Sequence, residues 1–433
     1  MKLRRFAIVA LSLGLLIATS NTLSGTISRQ KFSESYPSVV CPATLSGLSS
    51  QVSLGSRETR IKRVGSTSSK FFSSRALRIP VPGDPILVDA QGITPIIWQS
   101  RAGSWAGGTI CSNPAASQWF VGGAADVTSK GRLVLINSGL SEAIIDVEIW
   151  SEAGIRPPKV VTLKANSSVV QSLDSLDPGA KRIALHVAPR SGRVNAFLVD
   201  ERGRGLKSLG GDMVNASPDP SKVVVIPAIP HMKRSDKALG HTLRVIAPGD
   251  VDARISVELI STKGSFVPFG FDDRAVKAGI VTEIPLNPEL VPSTFALKIT
   301  SDRPIVASVY SSTYADGKSD FVWSTSTAEM KEYSLAVSGL APTLVFAGEK
   351  ISISLSILST KKKEKKFTIT GEGIVTFKVP DNARTINFTK VSDKTVGGAL
   401  ISTQSGYGYL PLTPGSELTR VLLPSANIRV LNP

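Results

Sequence analysis

Two cysteines, three histidines and four methionines in 433 residues leave little from which to build a metal centre or a thiol enzyme. His186, His231 and His241 lack the spacing of metal ligands, and no HExxH or CxxC segment occurs. The GxSxG elbow of a serine hydrolase is missing. Gly203-Arg204-Gly205 lacks the third glycine of a dinucleotide fingerprint, and there is no P-loop or EF-hand loop. Carboxylates are present, among them Asp272 and Asp273, and Asp212, Asp219, Asp250 and Asp252 lie in turn-rich stretches. Asp is common in turns for backbone reasons, and a glycosidase needs two carboxylates across one cleft. These absences disfavour metal, thiol and cofactor enzymes and leave acid–base hydrolysis open. The expectation is no cofactor, no metal and no catalytic residue.

Helical periodicity and long apolar runs are also scarce. After the first 20 residues no segment repeats its apolar positions three and four apart, and none approaches the 18 or so apolar residues of a membrane helix. At the N-terminus Lys2, Arg4 and Arg5 precede an apolar run from Phe6 to Ala18, followed by Thr19 and Ser20. That order marks residues 1–20 as a signal peptide or signal anchor, with 21–35 as a polar tether. The bulk of the chain is therefore expected outside the cytoplasm, secreted or anchored at the cell envelope, touching a membrane only through its N-terminal segment. Nucleic acid is not an expected partner. The formal net charge of +16 favours anionic surfaces. In an oxidising compartment Cys41 and Cys111 are most economically a disulfide, closing a loop worth about 4 kcal/mol in the chain-entropy model; two free thiols are the alternative.

What is present is an internal repeat. RLVLINSGLSEAIIDVEIWSEAG (132–154) returns as TLRVIAPGDVDARISVELISTKG (242–264) at a constant offset of 110, and more weakly as EKISISLSILST (349–360). In each copy the second half alternates with period two: Ala143, Ile145, Val147 and Ile149; Ala253, Ile255, Val257 and Leu259; Ile351, Ile353, Leu355 and Ile357. Turn residues Asn137-Ser138-Gly139 and Pro248-Gly249-Asp250 separate the halves, so each copy is expected to be a β-hairpin. The likeness continues through 184–199, 297–312 and 388–403. The fold class is therefore all-β: about three tandem immunoglobulin-like β-sandwich modules, spanning 36–217, 218–323 and 324–433. Ser46 to Ser74 reads as a mobile loop with one strand near Gln51 to Leu54. Arg78 to Val88, with its prolines, reads as an edge strand or extended connection.

Three of five tryptophans, Trp98, Trp105 and Trp119, fall near Cys111, with Phe120 beside the last. They suit either a sugar-stacking or partner-docking surface or a small core beside a disulfide. Trp150 occupies the outward parity of its strand, as do Ile260 and Leu358, which points to burial against a neighbouring element. Lys361, Lys362, Lys363, Lys365 and Lys366 form a basic turn, either an anionic-surface contact or a solvated tip that deters edge pairing. His231 reads as an exposed loop residue, and His186 as a structural one.

The segments VVCPATLSG (39–47), CSNPAASQWFVGG (111–123) and RLVLINSGLSEAIIDVEIW (132–150) together resemble an exported actinobacterial cell-envelope family of unknown function, over Val39 to Ser312. The resemblance implies an extracytoplasmic setting and a two-cysteine first domain, and carries no catalytic residues. The expected role is a non-catalytic binding or scaffold protein whose partner is a cell-envelope polymer or envelope protein. The alternatives are a carbohydrate-binding or carbohydrate-active, glycosidase-like envelope protein, and a surface adhesin.

Overall fold

The computed structural model describes residues 32–422, apart from 69, 206, 235–236, 289–292, 316 and 405. The leader with Lys2, Arg4 and Arg5, most of the tether and the expected closing strand Ile428 to Leu431 lie outside the described residues. The chain is all-β: the described residues hold strands and a single 3-10 turn, Leu173–Ser175. Two compact units are present. In the small one Phe32–Ser35, expected as tether, pairs antiparallel with Thr419–Leu422. The large one, Pro37–Glu417, holds everything described below.

The large unit contains four sandwiches, one more than the sequence suggested. Residues 36–217 divide into two. In the first sandwich, strands Val39–Cys41, Ile86–Asp89, Arg60–Arg63 and Phe72–Ser73 face strands Trp105–Ile110, Ile96–Arg101, Ser49–Ser53 and Arg78–Pro80. Val52, Leu54, Ile61, Val88 and Ile97 fill the gap beside the Cys41–Cys111 disulfide, whose S–S distance is 2.05 Å. The segment 46–74 thus holds, among its described residues, three strands, Ser49–Ser53, Arg60–Arg63 and Phe72–Ser73, the first of them where a strand was expected and the other two where a loop was. Its strands are too short and too interrupted by Ser and Arg to show periodicity, and they gain order by pairing with Ile86–Asp89 and Ile96–Arg101. Arg78–Pro80 is an edge strand, where proline costs no ladder bond.

The repeat builds the other three sandwiches, with one correction: its two strands are not hairpins. Arg132–Asn137 and Ala143–Ser151 lie in opposite sheets, and the Asn-Ser-Gly turn carries the chain across the core. The turn residues supply a reversal without dictating whether the strands meet edge to edge or face to face. The ladder partner of both is the path that follows. In the second sandwich Ile183–Ser191 pairs with Ala143–Ser151, and Val194–Arg204 with Arg132–Asn137. In the third a single strand, Ser293–Ala315, does both, setting Val257 opposite Ile299 and Leu243 opposite Val309. In the fourth the first element is itself one bent strand, Thr343–Ser359, bonded to Val396–Thr403 before the bend and to Ala383–Val391 after it. In the second sandwich inward residues of two sheets share the core; in the third and fourth one continuous sheet folds over, and its inward residues fill the core.

In the first copy the first strand, Leu133 to Ile136, is apolar on both faces, and the first strand of every copy is covered on both faces. One face serves its own core. The other packs on the preceding sandwich: Val134, Ile136, Phe197 and Val199 on Trp105 and Val40, then Ile246 and Val306 on Trp119 and Trp150, then Val345 and Leu400 on Ala228 and Val322. Trp98 joins Leu410 and Phe346 in the core of the fourth sandwich and closes the circuit. Strands Trp105–Ile110, Lys207–Val214, Lys318–Thr325 and Gly406–Pro411, one from each sandwich, touch in cyclic order. Glycines in three of them, Trp105–Ile110, Lys207–Val214 and Gly406–Pro411, permit the close approach. A Cβ at Gly107 would run into Asp212, and one at Gly406 into the Ala106 backbone. Asn215 donates to Gly108 O at 3.1 Å and Tyr409 O at 2.9 Å, tying three sandwiches together.

Candidate functional site

Every aromatic residue proposed as a ligand surface is inside. Trp98 and Trp119 are 6% exposed, Trp105 0% and Phe120 1%, so none offers a ring face to a sugar or partner. Phe120 fills the second sandwich's own core, whereas the size of the three indoles makes them joint fillers between sandwiches, and the same holds for Trp150 and Trp323. Trp150 was legible as a joint residue from its outward parity. Trp119 stacks on His186 at 4.3 Å and on Trp150 at 5.2 Å.

Beside that stack runs a chain of polar side chains that sequence reading did not assemble. Glu148 Oε2 lies 2.7 Å from His186 Nδ1, His186 Nε2 lies 2.9 Å from Ser117 Oγ, and the Ser117 hydroxyl donates to Asp219 Oδ1 at 2.5 Å. In outline this is a nucleophile, a base and an orienting carboxylate. A hydroxyl has one proton, and Asp219 takes it, so that proton is not aimed at the imidazole. An anion also sits against the oxygen that would attack, where a developing negative charge needs donors. The chain fastens the 215–220 connection to the second sandwich.

A second buried group lies where the four strands that touch in cyclic order meet. Asp212 accepts from Met213 N at 2.8 Å and Trp323 N at 2.7 Å, and Asp200 accepts from Trp323 Nε1 at 2.9 Å and Arg202 Nη2 at 3.0 Å. Glu201 accepts from Arg132 at 2.8 Å, from Trp105 Nε1 at 3.3 Å and from Arg101. Burial pushes Asp212 well above the carboxylate range and Asp320 up to about 7. His231 is not an exposed loop residue. It ends the strand Ser221–His231, 3% exposed, with Nδ1 2.9 Å from His241 Nε2. Burial, and then the neighbouring His231, lower His241 to about 4.

These two shifts work in opposite directions with pH. Asp320 is raised, so its contribution is complete below about pH 4 and is lost as pH rises towards 7; His241 is lowered, so its contribution is complete above about 6.5 and is lost as pH falls towards 4. Asp320→Asn removes the first term alone. Relative to the natural chain, that variant should be more favourable at pH 8 than at pH 5 by about 2 kcal/mol, read from urea unfolding at the two pH values. An equal difference at both would show that Asp320 is not raised.

Two surfaces stand out among the described residues. Lys361, Lys362, Lys363, Lys365 and Lys366 are all exposed at the tip of the ribbon formed by Thr343–Ser359 and Glu364–Lys378. Between the third and fourth sandwiches lies a cleft of about 920 Å³, within the range of ligand-binding cavities. Val223, Ile260 and Val396 supply apolar surface in it. Asp219, Glu258, Glu329, Glu349 and Glu372 line it against only Lys298 and Lys394. Thr327 also lines it, 7% exposed, with Oγ1 lacking any hydrogen-bond partner. Among the described residues no three His, Cys, Asp or Glu side chains gather as a metal site.

No curated protein matches the chain. Among solved structures it is similar to Thermotoga maritima 1070, at 17% identity over 23% of this chain and 93% of that one, with a TM-score of 0.21. It is also similar to Streptomyces avermitilis alpha-L-rhamnosidase complexed with L-rhamnose, at 10% identity over 87% of this chain and 57% of that one, TM-score 0.15. A third is the chicken CNTN1 FN1–FN3 domains, at 10% identity over 72% of this chain and 99% of that one, TM-score 0.09. Scores this low carry no argument about mechanism. The match that does reach across these sandwiches is to a family model covering residues 96–380, and by it the chain belongs to the DUF5719 family, a family of unknown function.

Proposed function

We propose that the protein is an exported, non-catalytic binding or scaffold component of the cell envelope. The observation that carries this reading is where its large aromatic and buried charged side chains are used: in joints that fuse four sandwiches into one body. Such a body is a rigid platform whose open features are the lysine tip and the inter-sandwich cleft. The net charge of +16 and the five tip lysines suit contact with an anionic envelope polymer. The disulfide is compatible with an oxidising compartment.

Co-sedimentation of the purified protein with isolated cell walls tests this. Binding should be strong at low salt and fall several-fold as salt screens the contact, and Lys361→Glu, Lys362→Glu and Lys363→Glu combined should lower it several-fold at fixed low salt. If neither polymer nor protein components of the envelope retain the natural chain at low salt, the reading fails.

A further inference from the structure

We infer that the cleft between the third and fourth sandwiches receives the lysine-rich ribbon tip of a second copy of this chain, joining copies head to tail. The cleft opposes the charge of the molecule around it: five carboxylates face two lysines on a chain whose net charge is +16. An occupant must therefore be cationic. It must also be narrow, with aliphatic stems to cover Val223, which is 51% exposed. Lysine satisfies both requirements, since it lays a hydrocarbon stem on apolar surface and carries its charge at the end.

The lysine-rich ribbon tip is such a segment, on a stiff support. The turn from Thr360 to Lys366 is exposed throughout, with five lysines and one glutamate. It cannot enter the cleft of its own molecule. Glu349 and Glu372, on the cleft wall, lie at the root of the same ribbon near the Gly348–Gly373 pair, and the tip begins at Leu358 opposite Glu364. Ten residues of strand separate the two ends, roughly 30 Å at 3.3 Å per residue. Only another copy can supply the tip, and the contact is then heterologous, so each copy offers one tip and one cleft. This inference goes beyond the proposed function and does not depend on it, because it concerns purified protein without envelope material.

Sedimentation velocity at low ionic strength provides the test. The natural chain should at least double its weight-average mass as concentration rises, and return to monomer in high salt. Lys361→Glu, Lys362→Glu and Lys363→Glu combined should give a monomer, as should Glu349→Lys with Glu372→Lys; all five positions are exposed, and circular dichroism checks that each variant is folded. Mixing the two variants should give a complex of one copy of each that grows no further, since one retains an intact cleft and the other an intact tip. A synthetic peptide of residues 358–368 should dissociate the natural oligomer. A natural chain that stays monomeric at low salt, association that survives either set of substitutions, or variants that do not pair on mixing would each overturn the inference.

Discussion

Replacing Arg244 with alanine should cost about 3–5 kcal/mol, read as a lowered midpoint of urea unfolding with little change in slope. Arg244 is 1% exposed and sits on His241–Ile246, the first strand of the second repeat copy, in the third sandwich. Its guanidinium donates to Gly123 O at 2.6 Å, Ile183 O at 3.3 Å and Lys181 O at 3.4 Å, all on the second sandwich, and to Glu283 at 2.7 Å. Its charge also lies over the Trp323 ring, 4.7 Å from the centroid. Burial lowers its pKa, and Glu283 opposes that shift. Alanine would leave carbonyls at the joint without donors, and unmade bonds to buried acceptors cost more than made ones contribute. Glu283 retains Arg182 at 3.5 Å, which moderates the loss. Lysine at 244 would keep the charge without the planar fork, so most of the loss should persist. A cost below about 1 kcal/mol for alanine would mean that the joint does not depend on these bonds.

The second large effect is expected at Trp105. The ring is 0% exposed between the first and second sandwiches, against Val134, Phe197 and Met213, and Gly211 lets it approach the backbone. Trp105→Ala should cost about 3–5 kcal/mol through lost burial and the cavity left behind. Trp105→Phe should restore most of the packing and still cost about 1 kcal/mol, because Glu201 loses the indole donor 3.3 Å away. Glu201 keeps Arg132 at 2.8 Å, so the charge is not stranded in either variant. Equal costs for alanine and phenylalanine would locate the effect in the hydrogen bond and not in the packing.

How much of this was legible depends on how local the signal was. Repeat spacing and period-two alternation carried the all-β class and the positions of the long strands, because every residue of a strand reports its face. Trp150 revealed a joint because it breaks the polar parity of its own strand. Arg244 could have done the same: it stands where the first copy has Val134, a lone cation in an otherwise apolar run. The number of sandwiches was hidden, because the first is built from strands of two to six residues whose order comes from distant partners. The hairpin reading failed because turn chemistry sets a reversal and not the sheet that the chain enters afterwards. The Ser117–His186–Glu148–Asp219 chain was out of reach for the same reason, its links being 69, 38 and 102 positions apart. Aromatic clustering near Cys111 was visible, but composition alone does not distinguish a ring that meets a ligand from one that meets another module.

Acrylamide quenching of the native protein's tryptophan fluorescence bears most directly on the idea that sandwiches are fused through their indoles. Trp98, Trp105, Trp119, Trp150 and Trp323 are all buried, so quenching should be weak in native buffer and rise to free-indole levels only on unfolding. Strong quenching of the folded chain, with two or more indoles freely accessible, would contradict the account.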